Sequence, residues 1–122
     1  MTTDNDRADR RRKTAFAHPS EAECAKILDF YRIDWLYEPR TFAIEWNADG
    51  EATQSFTPDF YLPEHDLYIE LTTLNQKLVT KKNKKLRRVK ELYPDANVKI
   101  FYLKDFKNWL AKFGIAYEKE KK

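Results

Sequence analysis

Apolar residues recur at two different spacings along this chain, and the spacing separates predicted helices from predicted strands. The first segment has helical spacing from Ser20 to about Tyr31, and Ser20 with Glu23 three residues later matches a capping box. Glu23 has a capping role, whereas Glu21 lies on the inward face of the helix and no neighbouring residue in the sequence explains it. Pro39 confirms that the helix has ended. The inward stripe consists of Glu21, Ala25, Leu28 and Tyr31 or Arg32.

Three segments in the middle of the chain have the pattern of β-strands. Residues 41–46 alternate between apolar and polar side chains. The turn sequence NADG separates them from a strand at residues 52–62, and PEHD separates that strand from a third at residues 67–72. Because short turns join these strands, we expect a three-stranded antiparallel meander.

A long helix, a strand and a short helix follow. Residues 74 to about 92 have helical spacing, residues 98–103 form a strand, and a helix at residues 105–113 ends at Gly114. Because a helix joins the third and fourth strands, we expect these two strands to be parallel. The fold class is therefore α/β or α+β, with a mixed four-stranded sheet flanked by helices. The inward face of the long helix comprises Leu78, Lys82, Leu86, Val89 and Leu92 or Tyr93.

The composition fits a single small domain. Of the 122 residues, 42% are hydrophobic, which is enough for one core. We expect the domain to span residues 18–115, between a disordered basic tail at residues 1–17 and a frayed charged tail at residues 116–122. Cys24 is the sole cysteine, so the chain has no internal disulfide and no zinc site built on cysteines. No apolar run is long enough for a membrane span or a signal peptide, so we expect a cytoplasmic protein without membrane contact.

Positive charge is concentrated in one segment. The net charge is only +3, but residues 77–91 contain eight Lys or Arg and one Glu. A basic stripe beside acidic residues suits a protein that handles phosphodiesters, because cations hold the backbone and carboxylates hold metal. The simpler interpretation is a solvated helix face. The expected DNA contacts are Lys77, Lys81, Lys84, Lys85, Arg87 and Arg88.

Two carboxylates face each other in the simplest register of the second hairpin. If Glu64 and His65 form its tip, Asp59 lies opposite Glu70, with Cβ atoms roughly 4.5–5.5 Å apart. The two carboxylates repel each other, and each raises the pKa of the other unless a cation lies between them. Mg²⁺ or Mn²⁺ is the natural cation for oxygen ligands. In the alternative interpretation Asp59 sits at a bulge and Glu70 pairs with a nearby lysine.

Alternation along the third strand separates a functional face from a core face. Tyr61 faces Tyr68 across the same hairpin, and Tyr68 on the functional face is a weak candidate for contact with a sugar or base. The functional face carries Tyr68, Glu70 and Thr72, and the core face carries Leu67, Ile69 and Leu71. We assign all three tryptophans to the core, namely Trp35, Trp46 and Trp109.

These residues resemble the PD-(D/E)xK nuclease superfamily, which includes restriction endonucleases and Holliday-junction resolvases. The matching residues are Pro58 and Asp59, then Glu70, Leu71 and Thr72 at the end of the next strand, followed by a basic helix and a further strand. The resemblance covers about residues 20–104. The order of elements carries more of it than the short motif does.

The resemblance implies a restriction-endonuclease-like core and a metal-dependent deoxyribonuclease. Asp59 and Glu70 would be metal ligands, with the backbone carbonyl of Leu71 as a third. Glu21 matches the acidic residue that the first helix of this family often contributes. The metal would activate a water for in-line attack, and the products would carry a 5′-phosphate and a 3′-hydroxyl.

Thr72 departs from the family pattern, because the family usually has a lysine there. In one explanation a lysine of the following helix supplies the charge. Lys82 is the best candidate because it interrupts the apolar stripe, and Lys77 and Lys85 are alternatives. Lys82 could equally be a snorkelling residue at the edge of the core. In the other explanation catalysis is weak or lost and the fold only binds nucleic acid.

The sequence therefore predicts a Mg²⁺- or Mn²⁺-dependent protein that hydrolyses DNA. The first alternative is a silent nucleic-acid-binding module on the same fold. The second is a small basic interaction protein whose carboxylates form salt bridges. A domain of this size has little room for a separate recognition module, so a homodimer or a larger complex is compatible with it.

Overall fold

Three helices and six strands form within the part of the chain that the computed structural model describes. That part is residues 15–72 and 76–121, without the side chains of residues 76, 78 and 113–121. The helices are α1 (Pro19–Phe30), α2 (Gln76–Leu92) and α3 (Leu103–Lys121). The strands are β1 (Leu36–Tyr37), β2 (Phe42–Trp46), β3 (Ala52–Phe56), β4 (Phe60–Leu62), β5 (Leu67–Thr72) and β6 (Val98–Tyr102).

The strands form two sheets. A four-stranded sheet has the order β1-β4-β5-β6, and β2 with β3 forms a separate antiparallel pair. Within the larger sheet β1, β4 and β5 are antiparallel neighbours, whereas β5 and β6 are parallel. The helix α2 joins the parallel pair, as predicted. The chain therefore has a mixed α/β architecture of the α+β type.

The predicted three-stranded meander was wrong. The strand expected at residues 52–62 is two strands, β3 and β4, and they belong to different sheets. Pro58 lies in the break between them and has no N–H for a strand ladder. The place next to β4 is taken by β1, which has only two residues and therefore no detectable alternation.

Two apolar clusters cover opposite faces of the four-stranded sheet. The first lies under α1 and α3 and includes Leu28 and Phe106 with Phe60 and Ile69 from the sheet. The second lies under α2 and the β2–β3 hairpin and includes Val89. All six residues of β5 are buried because both faces of this strand are covered. The functional face and the core face predicted for this strand are thus not separate along its whole length, since Tyr68 belongs to the second cluster.

Two helix ends differ from the prediction. α1 begins at Pro19, and His18 occupies the cap position without a side-chain hydrogen bond. Proline suits the first helical position because its missing N–H needs no partner there. The predicted capping box was therefore wrong, and Glu23 forms an ion pair with Lys107 at 2.6 Å instead. α3 continues through Gly114, since glycine inside a helix costs only about 1 kcal/mol relative to alanine.

The aromatic residues refine the domain boundary. Phe16 packs against Trp35, Tyr37 and Phe60, so residues assigned to the N-terminal tail contact the folded part of the chain. The rest of that predicted tail, residues 1–14, lies outside the described residues, as do the side chains of the predicted C-terminal tail. Trp35 is buried as expected, whereas Trp46 is 45% exposed, so its assignment to the core was wrong.

Within the described residues, none of the helices combines the length and apolar character that a membrane span requires.

Candidate metal and phosphodiester site

Asp59 and Glu70 lie side by side at one end of the four-stranded sheet. The register Phe60 to Ile69 and Tyr61 to Tyr68 places Asp59 opposite Glu70, as the hairpin prediction required. The backbone N–H of Asp59 donates to Glu70 Oε1 at 3.1 Å, and the N–H of Leu71 donates to Asp59 Oδ2 at 2.8 Å. Each carboxylate therefore accepts a backbone hydrogen bond from the neighbouring strand. This arrangement holds both side chains in place before any ligand arrives.

Burial makes the charged forms of both carboxyl groups unfavourable. It raises the pKa of Asp59 to about 8, with repulsion from Glu70 as the next cause and the Leu71 N–H opposing it. Burial also raises the pKa of Glu70, against the opposing charge of Lys82. A pair of this kind either retains a proton or binds a cation. The arrangement is therefore suited to a cation that stabilises two negative charges at once.

Lys82 reaches this pair from α2. Its Nζ lies 3.0 Å from Glu70 Oε2 and donates a hydrogen bond to the Leu71 carbonyl at 2.6 Å. Lys82 shares the inward face of α2 with Leu86 and Val89, which are buried, and its own side chain is half-buried. The helix thus directs a positive charge to the end of β5. It lies beside Glu70 and Leu71, the two residues that precede Thr72.

The other two lysine candidates differ from Lys82 in their surroundings. Lys85 donates to the Ser55 carbonyl at 3.2 Å, and Lys77 is exposed. Thr72 is buried at the end of β5 and is only 8% exposed. Of these candidates, Lys82 has a described contact with Glu70.

Glu21 joins the site from α1. Its side chain is 3% exposed and accepts a short hydrogen bond from the Tyr37 hydroxyl. Burial and this bond raise the pKa of Tyr37, so the hydroxyl remains a donor. One carboxylate oxygen from each of Glu21, Glu38 and Asp59 lies within 4.8 Å of the others. The inward position that the helical stripe predicted for Glu21 is therefore confirmed, and it places Glu21 beside Asp59.

Glu38 is a member of the acidic cluster that the sequence did not reveal. It follows the two-residue strand β1, has a left-handed φ of 46°, and donates its N–H to the Asp59 carbonyl at 2.9 Å. Neither periodicity nor a turn motif marks this position. The one signal in the sequence is Pro39 directly after it, which indicates a special backbone conformation without indicating a site.

The donor set fits a hard divalent cation. Carboxylate oxygens of Asp59 and Glu70 and the carbonyl of Leu71 are the oxygen ligands that Mg²⁺ and Mn²⁺ prefer. The Lys82 ammonium already contacts Glu70 and Leu71, which are two of these three donors. A divalent cation bound to these donors would therefore compete with Lys82 for Glu70 and the Leu71 carbonyl.

The basic face of α2 is divided between solvent and structure. Lys77, Lys81, Lys84 and Arg87 are exposed, as a DNA-binding face requires. Arg88 instead donates from Nε to the Ile44 carbonyl at 3.2 Å, and Lys85 holds Ser55 of β3. Lys85 and Arg88 thus both contact the β2–β3 hairpin, and Arg88 also forms an ion pair with Glu91 at 3.1 Å.

Tyr68 is not positioned to contact a base. It is 8% exposed and packs with Phe42 and Tyr61 at ring-centroid distances of 5.3 and 4.4 Å. Its predicted neighbour across the hairpin, Tyr61, is confirmed by the register. Tyr68 is therefore a core residue.

Comparison with known proteins returned no match, whether against family models, curated proteins or solved structures.

Proposed function

We propose that this chain is a metal-dependent nuclease of the PD-(D/E)xK type that hydrolyses DNA phosphodiester bonds. The observation that carries the proposal is the contact of Lys82 Nζ with Glu70 Oε2 and the Leu71 carbonyl. A lysine from the helix after β5 thereby reaches the place where the superfamily usually has a strand lysine. The order of elements around β4, β5, α2 and β6 supports the same assignment.

The proposed mechanism assigns a separate task to each side chain. Asp59 and Glu70, with the Leu71 carbonyl, would hold a divalent cation, which when bound lowers the pKa of a water and offsets charge on the phosphate. Lys82 would orient that water and place a positive charge next to the scissile phosphate. Glu21 and Tyr37 hold the acidic side of the site rigid through their hydrogen bond. Preorganisation of this kind lowers the reorganisation that reaction requires.

The substrate would approach an electrostatically divided surface. Exposed cations of α2, such as Lys81 and Lys84, would attract the DNA backbone, and Lys82 of the same helix contacts Glu70. The binding contribution of these lysines is independent of base sequence, because they contact phosphates. Recognition of a particular DNA structure would require further elements.

A cleavage assay with supercoiled, linear, single-stranded and branched DNA tests the proposal. We expect cutting with Mg²⁺ or Mn²⁺, no cutting with EDTA, and loss of cutting in the Asp59→Asn, Glu70→Gln double variant. The exposed Lys90 on α2 offers a matched control, since Lys90→Ala removes one charge away from the site. Metal-dependent cutting that persists in the double variant would refute the site.

Metal binding can be measured without catalysis. Titration of Mn²⁺ should raise the melting temperature of the unmodified chain, because a ligand that binds only the folded state stabilises it. The double variant should show no such rise. If both proteins respond equally, the cation binds somewhere other than at Asp59 and Glu70.

A silent nucleic-acid-binding module is the second candidate, and one observation favours it. The Glu70–Lys82 ion pair already neutralises part of the carboxylate pair. This candidate predicts salt-sensitive DNA binding without cleavage in any metal. A small interaction protein predicts neither DNA binding nor cleavage, and its carboxylates should tolerate amide substitution.

A further inference from the structure

An open groove with a volume of about 330 Å³ runs between α2 and the β2–β3 hairpin. The hairpin lines it with Ile44, Glu45 and Gln54, and α2 lines it with four cations and Glu91. This volume is at the lower end of the range found for small-ligand sites. The groove therefore suits one sugar-phosphate unit of a longer strand rather than a whole duplex.

The lining of the groove is positively charged, and its cations are of two kinds. Lys85 and Arg88 donate to backbone carbonyls of the hairpin, at 3.2 Å in each case. Lys84 and Arg87 are exposed. The four cations and two glutamates of the lining give a net charge of +2. The groove therefore favours an anionic ligand, and Lys84 and Arg87 are placed to contact it.

The hairpin supplies the second wall of the groove. Glu45 and Gln54 are register partners in β2 and β3, and both side chains are exposed. The strand pairing is irregular on both sides of Glu45, and irregularities of this kind re-aim side chains next to functional sites. The amide N–H groups of Gln54 can donate to phosphate or sugar oxygens, whereas Glu45 repels a phosphate. The hairpin wall therefore influences how strongly the groove attracts an anion.

The groove lies beside the candidate metal site along α2. Lys82 contacts Glu70, and Lys85, about one turn further along the helix, lines the groove. The helix rises about 1.5 Å per residue, so Lys82 and Arg88 are roughly 9 Å apart along its axis. Successive nucleotides of one strand are about 3.4 Å apart along the axis of a DNA duplex. A strand whose scissile phosphate lies at Lys82 would thus bring another phosphate to the groove within about three nucleotides.

We propose that the groove between α2 and the β2–β3 hairpin binds the sugar-phosphate backbone of one DNA strand next to the bond that is cleaved. Lys84 and Arg87 contact the phosphate from α2, and Gln54 donates to the backbone from the opposite wall. The inference rests on the proposed function for the identity of the ligand and for its place beside the cleaved bond. It makes the hairpin a substrate-binding element of this protein.

The test changes the hairpin wall, because α2 already belongs to the proposed DNA-binding face. Glu45→Gln removes a negative charge from the groove, and Gln54→Glu adds one. The matched controls are Glu51→Gln and Ala48→Glu, which make the same charge changes at exposed hairpin positions outside the groove lining. Binding of a DNA duplex is measured in EDTA by fluorescence anisotropy. Circular dichroism and the melting temperature establish folding, since a glutamate at position 54 faces Glu45 across the strand pair.

We expect Glu45→Gln to bind at least roughly threefold more tightly than the unmodified chain, and Gln54→Glu at least roughly fivefold more weakly, because salt screens a charge beside the phosphate less than a distant one. Both controls should stay within about twofold. Equal effects in each variant and its control would overturn the proposal, because DNA would then respond only to the overall charge of the hairpin. If Gln54→Glu does not fold, the comparison of Glu45→Gln with Glu51→Gln decides alone.

Placement beside the cleaved bond is tested with DNA that carries one neutral methylphosphonate. Apart from the modified bond itself, cleavage should be suppressed at a fixed distance of about one to three nucleotides on one side of the neutral group, because the groove then lacks its phosphate. Suppression without a fixed distance would contradict the placement.

Failure of this inference and failure of the proposed nuclease give different results. If no metal-dependent cleavage exists but the variants of Glu45 and Gln54 shift DNA affinity as expected, the nuclease proposal fails and the groove stands as a DNA-binding site. If cleavage occurs while each variant equals its control, the groove proposal alone fails.

Discussion

The first and second halves of α2 carry the same kind of residue and use it differently. In the first half, Lys82 reaches the end of β5 and contacts a carboxylate and a carbonyl. In the second half, Arg88 reaches the β2–β3 hairpin, and Lys85 between them does the same. Lys84 and Arg87 remain exposed. The basic residues of α2 therefore fall into three sets. The group that each side chain contacts determines its role.

The acceptors explain the difference. A backbone carbonyl of a hairpin needs a donor, and Lys85 or Arg88 satisfies it without regard to any ligand. Glu70 is a buried carboxyl group, and Lys82 Nζ lies 3.0 Å from its Oε2, so Lys82 is its structural partner. In the proposed nuclease the same lysine would also place its charge next to the scissile phosphate. The predictions below test this distinction, from the largest expected effect to the smallest.

Loss of Lys82 should abolish most cleavage. We expect Lys82→Ala to lower kcat by roughly 10²–10⁴, the usual contribution of a positioned proton-transfer or charge-stabilising group, with DNA affinity within a few-fold. Lys85→Ala, three residues along the same helix, should retain activity within a few-fold. Single-turnover cleavage and separate binding measurements distinguish the two. A large loss of affinity with normal turnover at saturation would show that Lys82 only binds DNA.

Loss of Arg88 should lower the stability of the fold rather than the rate of cleavage. Arg88→Ala leaves the Ile44 carbonyl without this donor, also removes the surface ion pair with Glu91, and should lower the free energy of unfolding by about 1 kcal/mol. The exposed neighbour Arg87→Ala should stay within about 0.5 kcal/mol. Urea denaturation measures both. Equal effects would mean that the hairpin does not depend on this contact.

The stability of the metal-free protein should fall as pH rises. The folded-state pKa of Asp59, about 8, exceeds its ordinary value, so its contribution is complete below pH 4 and lost as pH rises through 8. We expect the melting temperature in EDTA to drop by a few degrees between pH 5 and 8.5. Asp59→Asn should flatten this slope, whereas the exposed Asp95→Asn should leave it unchanged. An undiminished slope in Asp59→Asn would contradict the pKa shift.

The smallest expected effect is a difference between two neighbouring lysines in how much each contributes to the salt dependence of DNA binding. Lys84→Ala should weaken DNA binding a few-fold and reduce the salt slope by about 0.9, because one phosphate contact is lost. Lys85→Ala should leave the slope nearly unchanged, since Lys85 is held by the Ser55 carbonyl. If Lys85 has the larger effect, the hairpin contact is replaced by a phosphate contact when DNA binds.

Local pattern predicted the central part of the candidate site. The hairpin register placed Asp59 opposite Glu70, and the interrupted stripe of α2 indicated that Lys82 points inward; the structure bears out both placements. These predictions rest on a period of two in strands and of about 3.6 in helices. Trp46 shows the limit, since its apolar character predicted burial although it is 45% exposed in the β2–β3 hairpin.

The sequence by itself determined the order of the three helices, the parallel crossover and the two carboxylates that share one end of a hairpin, because these follow from neighbours close along the chain. Tertiary structure alone decided that Glu38 joins Asp59, that Lys82 meets the Leu71 carbonyl and that Lys85 and Arg88 hold a hairpin. Those contacts join residues between 11 and 44 positions apart. They depend on how helices and sheets pack, which no local period encodes.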